Sequence, residues 1–488
     1  MRSSIEKFGF ISSGVLIGVL VSLNFSALAE KVTTSQLPID DLRVFAEVFS
    51  KVKSDYVEPV EDKKLINEAL TGMLAGLDPH STYMDADGYK DLQAGTQGEF
   101  GGLGIEVAME EGLVKVVTPI EDSPAYKAGL KSGDLISKLD DTQIRGLTLN
   151  DAVKKMRGKP DTPIVLTILR KGETKPLTFT LMRAVIKTQS VKNKYIEKDY
   201  AYIRVTQFQE HTGEDLAKAL TSLQAQNKGP FKGLVLDMRN NPGGLLDSAV
   251  GVSAAFLPKN DLVVYTEGRI ADSKMKLNAN PMDYARRGKG DYLKDVPESY
   301  KKTPMVVLIN AGSASASEIV AGALQDHKRA TILGIQSFGK GSVQTILPMN
   351  NGSAIKLTTA RYFTPNGRSI QAKGIVPDIA VDDGSDPANA MHEADLAKHL
   401  SNPKDADANL PIVKDAAKEA AAKAKLNEKK FAEAQGPIEP ASKEDFQFQQ
   451  AMNVLKGLPV QKMPEPKVAA AKLIDLKTPA DVKAEVKK

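Results

Sequence analysis

Two stretches near the start of the chain repeat apolar residues at the three- and four-residue spacing of an amphipathic helix. Residues 42–56 and 65–74 each carry such a stripe, and Pro59 separates them. The spacing predicts two helices within an N-terminal helical segment at residues 30–95. The pair could cap a larger domain or form a dimerisation arm, and the pattern leaves both open. The apolar positions are Leu42, Phe45, Phe49, Val52, Tyr56, Leu65, Ile66, Leu70, Met73 and Leu74.

The apolar pattern ahead of this segment is continuous rather than periodic. Arg2 and Lys7 flank the start of the stretch FGFISSGVLIGVLVSL, and ALA at residues 27–29 has the small residues of a signal-peptidase site. This order predicts a signal peptide at residues 1–29 and export to the periplasm. The alternative is an uncleaved anchor in the inner membrane. Cleavage is favoured because the stretch is shorter than the roughly 20 residues that span a bilayer.

Residues 96–183 change to the two-residue alternation of short β-strands. The glycine-rich GGLGIEV leads into alternating apolar positions, and SPAYKAGLKSGDLI predicts a short helix followed by a strand. Thr148 and Asp151 have the spacing of a helix cap around the stretch TLNDAVKKM. We expect a compact, strand-rich domain here.

From residue 184 to 382, apolar strands alternate with helical stretches. YAYIRVTQF, GLVLDMR, MVVLIN and ATILGI are followed by helices or glycine-rich loops, an order typical of parallel strands joined by helices. The predicted fold class is therefore α/β, with a mixed, mostly parallel sheet. The polar stretch 268–303 is long for a loop, and we expect it to cross the core as one wall of a cleft.

The tail at residues 383–488 is rich in Ala and Lys. The stretch DAAKEAAAKAKLNEKKFAEA predicts a polar helix that serves as a spacer. A second helix is predicted near residues 443–456, with Ser442 and Asp445 as caps and an apolar stripe of Phe448, Met452 and Leu455. Because of this stripe we expect the second helix to dock on another part of the protein, and the last thirty residues to be loose.

Composition and charge narrow the chemistry. The 488 residues include no cysteine, which excludes disulfides, thiolate nucleophiles and thiolate metal sites. The five histidines form no HExxH-type pair, so a zinc hydrolase is not expected. The chain has 65 basic and 61 acidic residues, and its net charge of +4 is too small to indicate a nucleic-acid-binding protein.

The stretch INAGSASASE at residues 309–318 joins an apolar strand to a helix. Ser315 and Glu318 have the spacing of a capping box, and in most sequences that structural interpretation would suffice. However, Ser315 follows a strand of an α/β sheet, at the edge where such sheets present ligands. Gly312, Ala314 and Ala316 leave room for a peptide backbone, and the first amides of a helix can bind a developing negative oxygen. Ser315 is therefore a candidate nucleophile.

A serine nucleophile requires a base, and the stretch SFGKGSVQ offers a lysine. His327 is not expected to reach Ser315, because it lies at the far end of the same helix, roughly 16 Å along the axis. Lys340 lies between two glycines, and Gln344, four residues later, points to the same side. The ordinary interpretation is a solvated loop lysine. To act as a base, its pKa must fall from about 10.4 to about 7–8, which the apolar flanking residues favour by excluding water.

Four motifs together resemble the carboxyl-terminal processing proteases, the tail-specific serine peptidases of family S41. They are LDPHSTYM, LDMRNNPGGLL, GSASASEIVAGALQD and GIQSFGKGSVQ, and the similarity extends from about residue 40 to 382. The resemblance implies that Ser315 is the nucleophile and Lys340 the general base, with Gln344 as third member and no metal or organic cofactor. Some relatives are described with an acidic third residue, which matches Asp326, but Asp326 lies as far along the helix as His327 and ranks below Gln344.

The same resemblance implies an oxyanion hole. The amide of Ala316 would contribute one donor, and a glycine amide from NNPGG would contribute the other. Gly243 and Gly244 are both candidates, and the sequence does not choose between them. Asp237 and Arg239 in the same stretch are interpreted as structural ion partners.

Residues 96–183 in turn resemble a PDZ domain, a module that binds protein C-termini. Consecutive amides of its glycine-rich loop can hold a peptide carboxylate while the peptide adds as a strand to the neighbouring edge. The loop residues are Gly102, Leu103, Gly104 and Ile105.

The function implied is an exported serine endopeptidase that recognises substrate C-termini and processes or degrades periplasmic proteins. Its expected partners are proteins or peptides with free, apolar C-termini, a second copy of the chain in a homo-oligomer, and an activating adaptor protein. A catalytically silent PDZ scaffold is the main alternative, although the intact set of Ser315, Lys340 and Gln344 argues against it. An enzyme resembling acyl-CoA hydratases is a third interpretation, which the PDZ module and the signal peptide disfavour.

Overall fold

The computed structural model describes residues 37–110, 112–120, 123–286, 288, 290–382, 390–404 and 438–461. The predicted signal peptide and the predicted spacer helix lie outside these ranges. The chain divides into two units, residues 1–69 and residues 70–488. Within the described ranges, no helix has the length and apolar character needed to cross a membrane.

Both helices predicted near the start of the chain are present. Helix α1 is Ile39–Asp55, and helix α2 is Asp62–Ala75. Helix α1 has Asp40 and Asp41 in its first turn, where negative charge favours the positive end of the helix dipole. None of its residues is buried, so its apolar stripe forms an exposed face.

The segment at residues 30–95 is not helical throughout. Strand β1, Thr82–Met84, pairs antiparallel with residues 354–356 of the second sheet described below. Helix α3, Ala86–Gln97, follows; the Asp85 side chain caps it by accepting the Gly88 amide at 2.8 Å. The short strand was missed because three residues carry too little alternation to be recognised.

Residues 99–187 form the predicted strand-rich domain. Its elements are β2 Glu99–Gly102, β3 Ile105–Glu110, β4 Leu113–Pro119, α4 Pro124–Lys127, β5 Leu135–Leu139, β6 Thr142–Gln143, α5 Leu149–Met156, β7 Pro163–Leu169, β8 Leu177–Met182 and β9 Ala184–Lys187. Strands β2 and β9 pair with each other, and the others form a sheet in the order β3-β4-β5-β7-β8 with β6 on β5. Thr148 and Asp151 cap α5 as predicted. Strand β3 lies at an open edge of the sheet.

The remaining elements form the α/β core. They are β10 Val191–Glu197, β11 Tyr200–Val205, α6 Thr212–Gln226, β12 Gly233–Asp237, α7 Leu246–Ala254, β13 Leu262–Gly268, β14 Lys276–Asn278, α8 Pro281–Tyr284, β15 Met305–Ile309, α9 Ala316–Asp326, β16 Thr331–Gly334, β17 Ser342–Pro348, β18 Ala354–Phe363, β19 Ile379–Ala380 and α10 Phe446–Leu455. The main sheet has the order β10-β11-β12-β15-β16-β19. All its pairs except β10 with β11 are parallel, which confirms the predicted mostly parallel sheet.

A second, antiparallel sheet lies beside the main one. Its order is β1-β18-β13-β14, with β17 also paired to β18. Because side chains alternate along a strand, every second residue of β18 shares one face. This holds for Lys356 and Thr358, which lie on the face of β18 that meets Gln344 of β17. Beyond Thr358 a β-bulge shifts the register between the two strands, so the alternation does not extend to Tyr362.

The polar stretch 268–303 packs on helices of the core. Tyr284 and Tyr300 are buried in the main hydrophobic cluster. The Tyr292 ring lies directly against Gly213 of α6 and Gly251 of α7, where a larger side chain would collide with it. The stretch therefore crosses the core, as predicted, and covers these two helices. That it forms one wall of a cleft stays a prediction.

Helix α10 docks on the main sheet, as the apolar stripe predicted. Phe448, Ala451 and Met452 are buried against strand residues of the face opposite to α6, α7 and α9. The ring of Phe448 meets that of Tyr202 edge to face, with centroids 5.5 Å apart. Asp445 caps the helix by accepting the Phe448 amide at 3.1 Å.

The predicted cap at Ser442 is wrong, because its buried hydroxyl has no hydrogen-bond partner. An ion bridge made by Arg239 fixes the start of α10 to the sheet. Its guanidinium binds Asp237 at 2.6 Å and Asp445 at 2.7 Å, so the pair predicted as structural ion partners has a third member.

We expect Phe448→Ala to lower the free energy of unfolding of the core by about 3–5 kcal/mol, because it removes a fully buried ring and leaves a cavity. Urea unfolding followed by tyrosine fluorescence measures the change. Leu458→Ala is the matched control, since Leu458 is 52% exposed, and its effect should stay within about 0.5 kcal/mol. Equal effects of the two substitutions would contradict a docking role for α10.

Candidate active site

The serine-rich turn between β15 and α9 is anchored on the loop that follows β12. The Ser313 hydroxyl donates to the Met238 carbonyl at 2.8 Å, and the Ser317 hydroxyl donates to the Asn241 carbonyl at 2.9 Å. The Ala314 amide donates to the same Asn241 carbonyl at 2.9 Å. Ser313 and Ser317 thus attach this turn to the loop that follows β12, which gives two of the three serines a structural role.

Ser315 lies at the sharpest point of the turn. Its φ of 56° and ψ of −111° lie in a region that non-glycine residues rarely adopt. Such a conformation costs about 1–3 kcal/mol and persists only where surrounding contacts impose it. A strained strand-to-helix turn of this kind exposes a serine hydroxyl at the edge of a sheet.

Glu318 connects the serine turn to the lysine loop. Its Oε2 accepts the Ser315 amide at 2.7 Å and the Lys340 amide at 3.0 Å. Its Oε1 accepts the Gly339 amide at 2.7 Å and the Ser337 hydroxyl at 2.6 Å. Sequence analysis identified only the local capping contact to Ser315, because the other three donors are 19 to 22 residues away along the chain.

The Glu318 side chain is completely buried. Burial raises its pKa to about 7, and the four donors act against that rise by stabilising the carboxylate. The four hydrogen bonds are strongest when the group is ionised. Above about pH 7 this carboxylate therefore holds the backbones of Ser315 and Lys340 at one shared oxygen.

Lys340 and Gln344 are brought together as the sequence suggested. The Lys340 Nζ donates to Gln344 Oε1 at 2.6 Å and to the Ser342 carbonyl at 3.2 Å. Burial is the largest cause that lowers the pKa of Lys340 to about 8, and the positive charge of Lys356 acts in the same direction. The surroundings thus make a neutral amine accessible near physiological pH.

The amine of Lys340 is not bonded to the Ser315 hydroxyl. Within the described ranges its hydrogen bonds go to Gln344 and Ser342. Hydrogen bonds between a base and a nucleophile are often long until substrate binds. The backbone amides of both residues are nevertheless bound by the same Glu318 oxygen.

Tyr362 is a residue of the site that sequence analysis missed. Its hydroxyl donates to the Lys340 carbonyl and also interacts with the Ser315 side chain. Complete burial raises the pKa of this hydroxyl well above its ordinary value, so it remains a neutral donor. Sequence analysis had no signal for it, because its contacts with Lys340 and Ser315 depend on how β18 packs beside the lysine loop.

The glycine loop lies against the helix start. A β-carbon on Gly243 would lie 2.8 Å from the Ser315 β-carbon and 2.9 Å from the Ala316 nitrogen, and Gly243 has a φ of 99°. The Gly243 amide donates to Asn241 Oδ1 at 2.9 Å. The amides of Gly244 and Ala316 form no hydrogen bond within the described part of the chain, which leaves them available to a ligand oxygen.

The Asp326 carboxylate does not contact Lys340. It lies at the last position of α9, where its carboxylate pairs with Arg368 and accepts the Asn366 amide at 2.8 Å. His327, next to it, binds the Leu262 carbonyl through Nε2 at 2.7 Å. Both residues therefore make structural contacts at the far end of the helix.

The glycine-rich loop of the strand-rich domain joins β2 to β3. The Gly104 carbonyl accepts the Ile120 amide at 2.8 Å and the Ser123 hydroxyl at 3.0 Å, and the Leu103 carbonyl accepts the Ala125 amide at 3.0 Å. The carbonyls are thus directed into the domain. Gly102 ends β2 and Ile105 begins the open edge strand β3.

Across the described ranges, no group of three or more His, Asp and Glu side chains is arranged to hold a metal ion.

Three family models match the chain. Peptidase family S41 matches residues 199–381, a PDZ domain matches residues 101–181, and the N-terminal domain of the activating protease CtpB matches residues 21–88. These ranges agree with the α/β core and the strand-rich domain described above.

Two curated relatives cover most of the chain. A carboxy-terminal-processing protease of Bartonella bacilliformis is 48% identical over 400 residues, which are 80% of this chain and 88% of the relative. The carboxy-terminal processing protease CtpB of Bacillus subtilis is 37% identical over 381 residues, which are 76% of this chain and 75% of the relative.

Among solved structures, the photosystem II D1 C-terminal processing protease is 30% identical, with a TM-score of 0.39 and coverage of 70% of this chain and 92% of that one. The identities over most of both curated relatives establish the family. The chain belongs to the carboxy-terminal processing proteases, serine-type peptidases of family S41 that carry a PDZ domain.

Proposed function

We propose that this protease is an exported endopeptidase that uses Ser315 as nucleophile and neutral Lys340 as general base. The observation that carries the proposal is the buried Glu318 oxygen that accepts the amides of both residues, at 2.7 and 3.0 Å. Capping α9 requires only the first of these contacts. A lysine pKa of about 8 supports the same assignment, because an ordinary surface lysine is protonated near neutrality.

In the first half of the reaction, Lys340 removes the proton from the Ser315 hydroxyl as Oγ attacks the scissile carbonyl carbon. The resulting ammonium then gives that proton to the leaving amine, and an acyl-enzyme ester remains. In the second half, Lys340 takes a proton from water as the water oxygen attacks the ester carbonyl carbon. The ammonium then returns this proton to Ser315 Oγ as the bond between Oγ and the acyl carbon breaks, which releases the new C-terminus and restores the free serine and the neutral amine. Gln344 is the third member: it accepts one hydrogen of the amine and thereby orients the nitrogen lone pair.

The oxyanion hole is proposed to consist of the amides of Ala316 and Gly244. Gly243 is less suited as a donor, because its amide already binds Asn241. Its role is instead steric, since any side chain there would collide with the nucleophile turn. Each preorganised donor of this kind contributes about 2.7–4 kcal/mol to transition-state stabilisation.

Substrates are proposed to be periplasmic proteins and peptides with free, apolar C-termini, captured along strand β3 of the PDZ domain. Loop amides from Leu103 to Ile105 would bind the carboxylate, and the open edge of β3 would pair with the peptide backbone. Export through a signal peptide at residues 1–29, assembly into a homo-oligomer and control by an activating adaptor complete the proposal. The match to an activating-protease N-terminal domain at residues 21–88 supports a regulatory role for the first segment.

We expect Ser315→Ala and Lys340→Ala each to lower kcat/KM for casein by at least about 1,000-fold, because the two groups act as a unit. Fragment release over time measures the loss, and thermal unfolding checks that both variants fold. Lys218→Ala is the matched control, since Lys218 is an exposed lysine of α6 paired only with Asp215. Unchanged cleavage by the Ser315 variant would contradict the proposed function.

Activity should rise with pH through an apparent pKa of about 8. Activity rises because the base must be neutral. With the lowered pKa, roughly a tenth of Lys340 is neutral at pH 7, compared with about 0.03% of an ordinary lysine. Ionisation of Glu318 near pH 7 also strengthens the four hydrogen bonds that hold the serine turn and the lysine loop. Initial rates from about pH 6 to about pH 10 measure the profile. A flat profile, or a rise centred near the ordinary lysine pKa, would exclude a desolvated base.

Two peptides that differ only in a C-terminal carboxylate or carboxamide test the role of the PDZ domain. The carboxamide should reduce kcat/KM by about tenfold or more, because it removes the charge that the loop amides bind. Acetylation of the N-terminus is the matched change at the other end and should leave kcat/KM unaltered. Equal cleavage of carboxylate and carboxamide peptides would contradict C-terminal recognition.

A further inference from the structure

A hydrogen-bond path continues from Gln344 away from Lys340. The Gln344 Nε2 donates to the Thr358 hydroxyl at 3.2 Å and to the Ser342 hydroxyl at 3.0 Å. The Thr358 hydroxyl in turn donates to Asp78 Oδ1 at 3.1 Å. Asp78 lies ahead of the PDZ domain in the sequence, in the motif LDPHSTYM, and is separated from Thr358 by 280 residues.

Asp78 is held in place by its own turn. Its Oδ1 accepts the amides of His80 and Ser81 at 2.8 and 2.9 Å, and its Oδ2 accepts the Ser81 hydroxyl at 2.7 Å. The residue is only 4% exposed. Burial acts to raise its pKa, but the hydrogen bonds from Ser81, His80 and Thr358 together keep the pKa below its ordinary value. Asp78 is therefore an ionised group that only accepts hydrogen bonds.

This acceptor sets the direction of every bond in the path. Because Asp78 can only accept, the single hydroxyl hydrogen of Thr358 is committed to it. The Thr358 oxygen must then accept, and the NH₂ of Gln344 donates to it at 3.2 Å. The Ser81 hydroxyl is also near this oxygen, at 3.4 Å, but its one hydrogen is better placed on Asp78 Oδ2, at 2.7 Å. The carbonyl oxygen of Gln344 consequently faces Lys340 and accepts from the amine.

The opposite orientation of Gln344 would disable the base. Its NH₂ group would then face the Lys340 nitrogen and donate to the lone pair that must take the Ser315 proton. The Gln344 amide can present either its carbonyl oxygen or its NH₂ group to Lys340. Contact between Lys340 and Gln344 therefore does not by itself select the productive orientation.

We propose that Asp78 and Thr358 are positioning residues that select the orientation of the Gln344 amide and so keep the lone pair of Lys340 directed to Ser315. This inference rests on the proposed function and adds to it two residues from outside the Ser–Lys–Gln set. It also makes the segment before the PDZ domain part of the catalytic apparatus.

Charged groups on several elements affect the pKa of Lys340, and this effect is distinct from the orientation of the Gln344 amide. The positive charge of Lys356 on β18 lowers the pKa of Lys340. The carboxylates of Glu393, Glu318 and Asp78 raise it. Glu393 is paired with His80 at 2.8 Å. Removing the charge of Asp78 should therefore lower the pKa of Lys340, whereas removing the Thr358 hydroxyl leaves all these charges in place.

The test compares the full-length wild-type chain with Thr358→Val, Thr358→Ser and Asp78→Asn. Valine has the shape of threonine without the hydroxyl, so this variant should fold and lose about tenfold or more in kcat with a smaller change in KM. Serine retains the hydroxyl and should stay within about threefold of wild type. Casein cleavage gives kcat and KM, and labelling by a fluorophosphonate probe reports activation of the serine independently of substrate binding.

The pH profile distinguishes positioning from a structural role. In Asp78→Asn the plateau should fall, and the rising limb should also move to lower pH, since the carboxamide removes a negative charge and can donate to Thr358. In Thr358→Val the plateau should fall without that displacement of the limb. Asp291→Asn is the matched control: Asp291 is a partly buried carboxylate that accepts the Tyr284 hydroxyl at 2.7 Å and the Leu293 amide at 2.9 Å, with no bond to the path.

The outcomes separate the two proposals. If Ser315→Ala and Lys340→Ala abolish labelling but Thr358→Val behaves like Asp291→Asn, the positioning inference is overturned and the proposed function stands. If labelling and cleavage survive loss of Ser315 or Lys340, the proposed function itself fails. A loss of thermal stability in the Thr358 and Asp78 variants with unchanged kcat per labelled site would show that the path only stabilises the fold.

Discussion

The carboxylate of Glu318 is the contact on which the catalytic arrangement depends. It is completely buried and forms no ion pair within the described part of the chain, and the energy needed to remove it from water is offset by four hydrogen bonds. Those four donors come from two segments, the serine turn and the loop ahead of β17. A single buried group thus fixes the distance between two motifs that are separated in the chain, and its loss would leave three backbone or hydroxyl donors of the lysine loop unpaired.

The strain at Ser315 follows from the same arrangement. A serine with a positive φ is stable only if its neighbours prevent relaxation. Here Glu318 binds its amide, and Ser313 and Ser317 attach both sides of the turn to the loop that follows β12. These bonds also keep the glycine loop beside the helix start. The backbones of the proposed nucleophile, base and oxyanion donors are therefore held relative to one another by these contacts.

The surroundings of the proposed base come from more of the chain than the α/β core. Asp78 and His80 precede the PDZ domain, whereas Glu393 lies beyond the core strands and binds both His80 and Gln371. The carboxylates of Asp78 and Glu393 both act to raise the pKa of Lys340. A change at either end of the core could therefore alter the base without touching Ser315 or Lys340.

The sequence by itself determined the elements and the chemistry that depend on local pattern. Helical and strand periodicity predicted α1, α2, α10 and the mostly parallel sheet, because side-chain spacing reflects the geometry of each element. The motifs around Ser315, Lys340 and Gln344 were recognisable because each lies within a few residues of chain.

Only the tertiary structure decided which distant groups meet these motifs. The three remote donors of Glu318, the Tyr362 hydroxyl, the path from Gln344 to Asp78 and the pairing of Asp326 with Arg368 all join residues that are far apart along the chain or on different strands. A one-residue change in strand register would reverse which side chains of β18 face the site. Such contacts depend on how the strands pair and how the sheets pack. Hydrophobic periodicity indicates the type of each element but not which elements pair with one another.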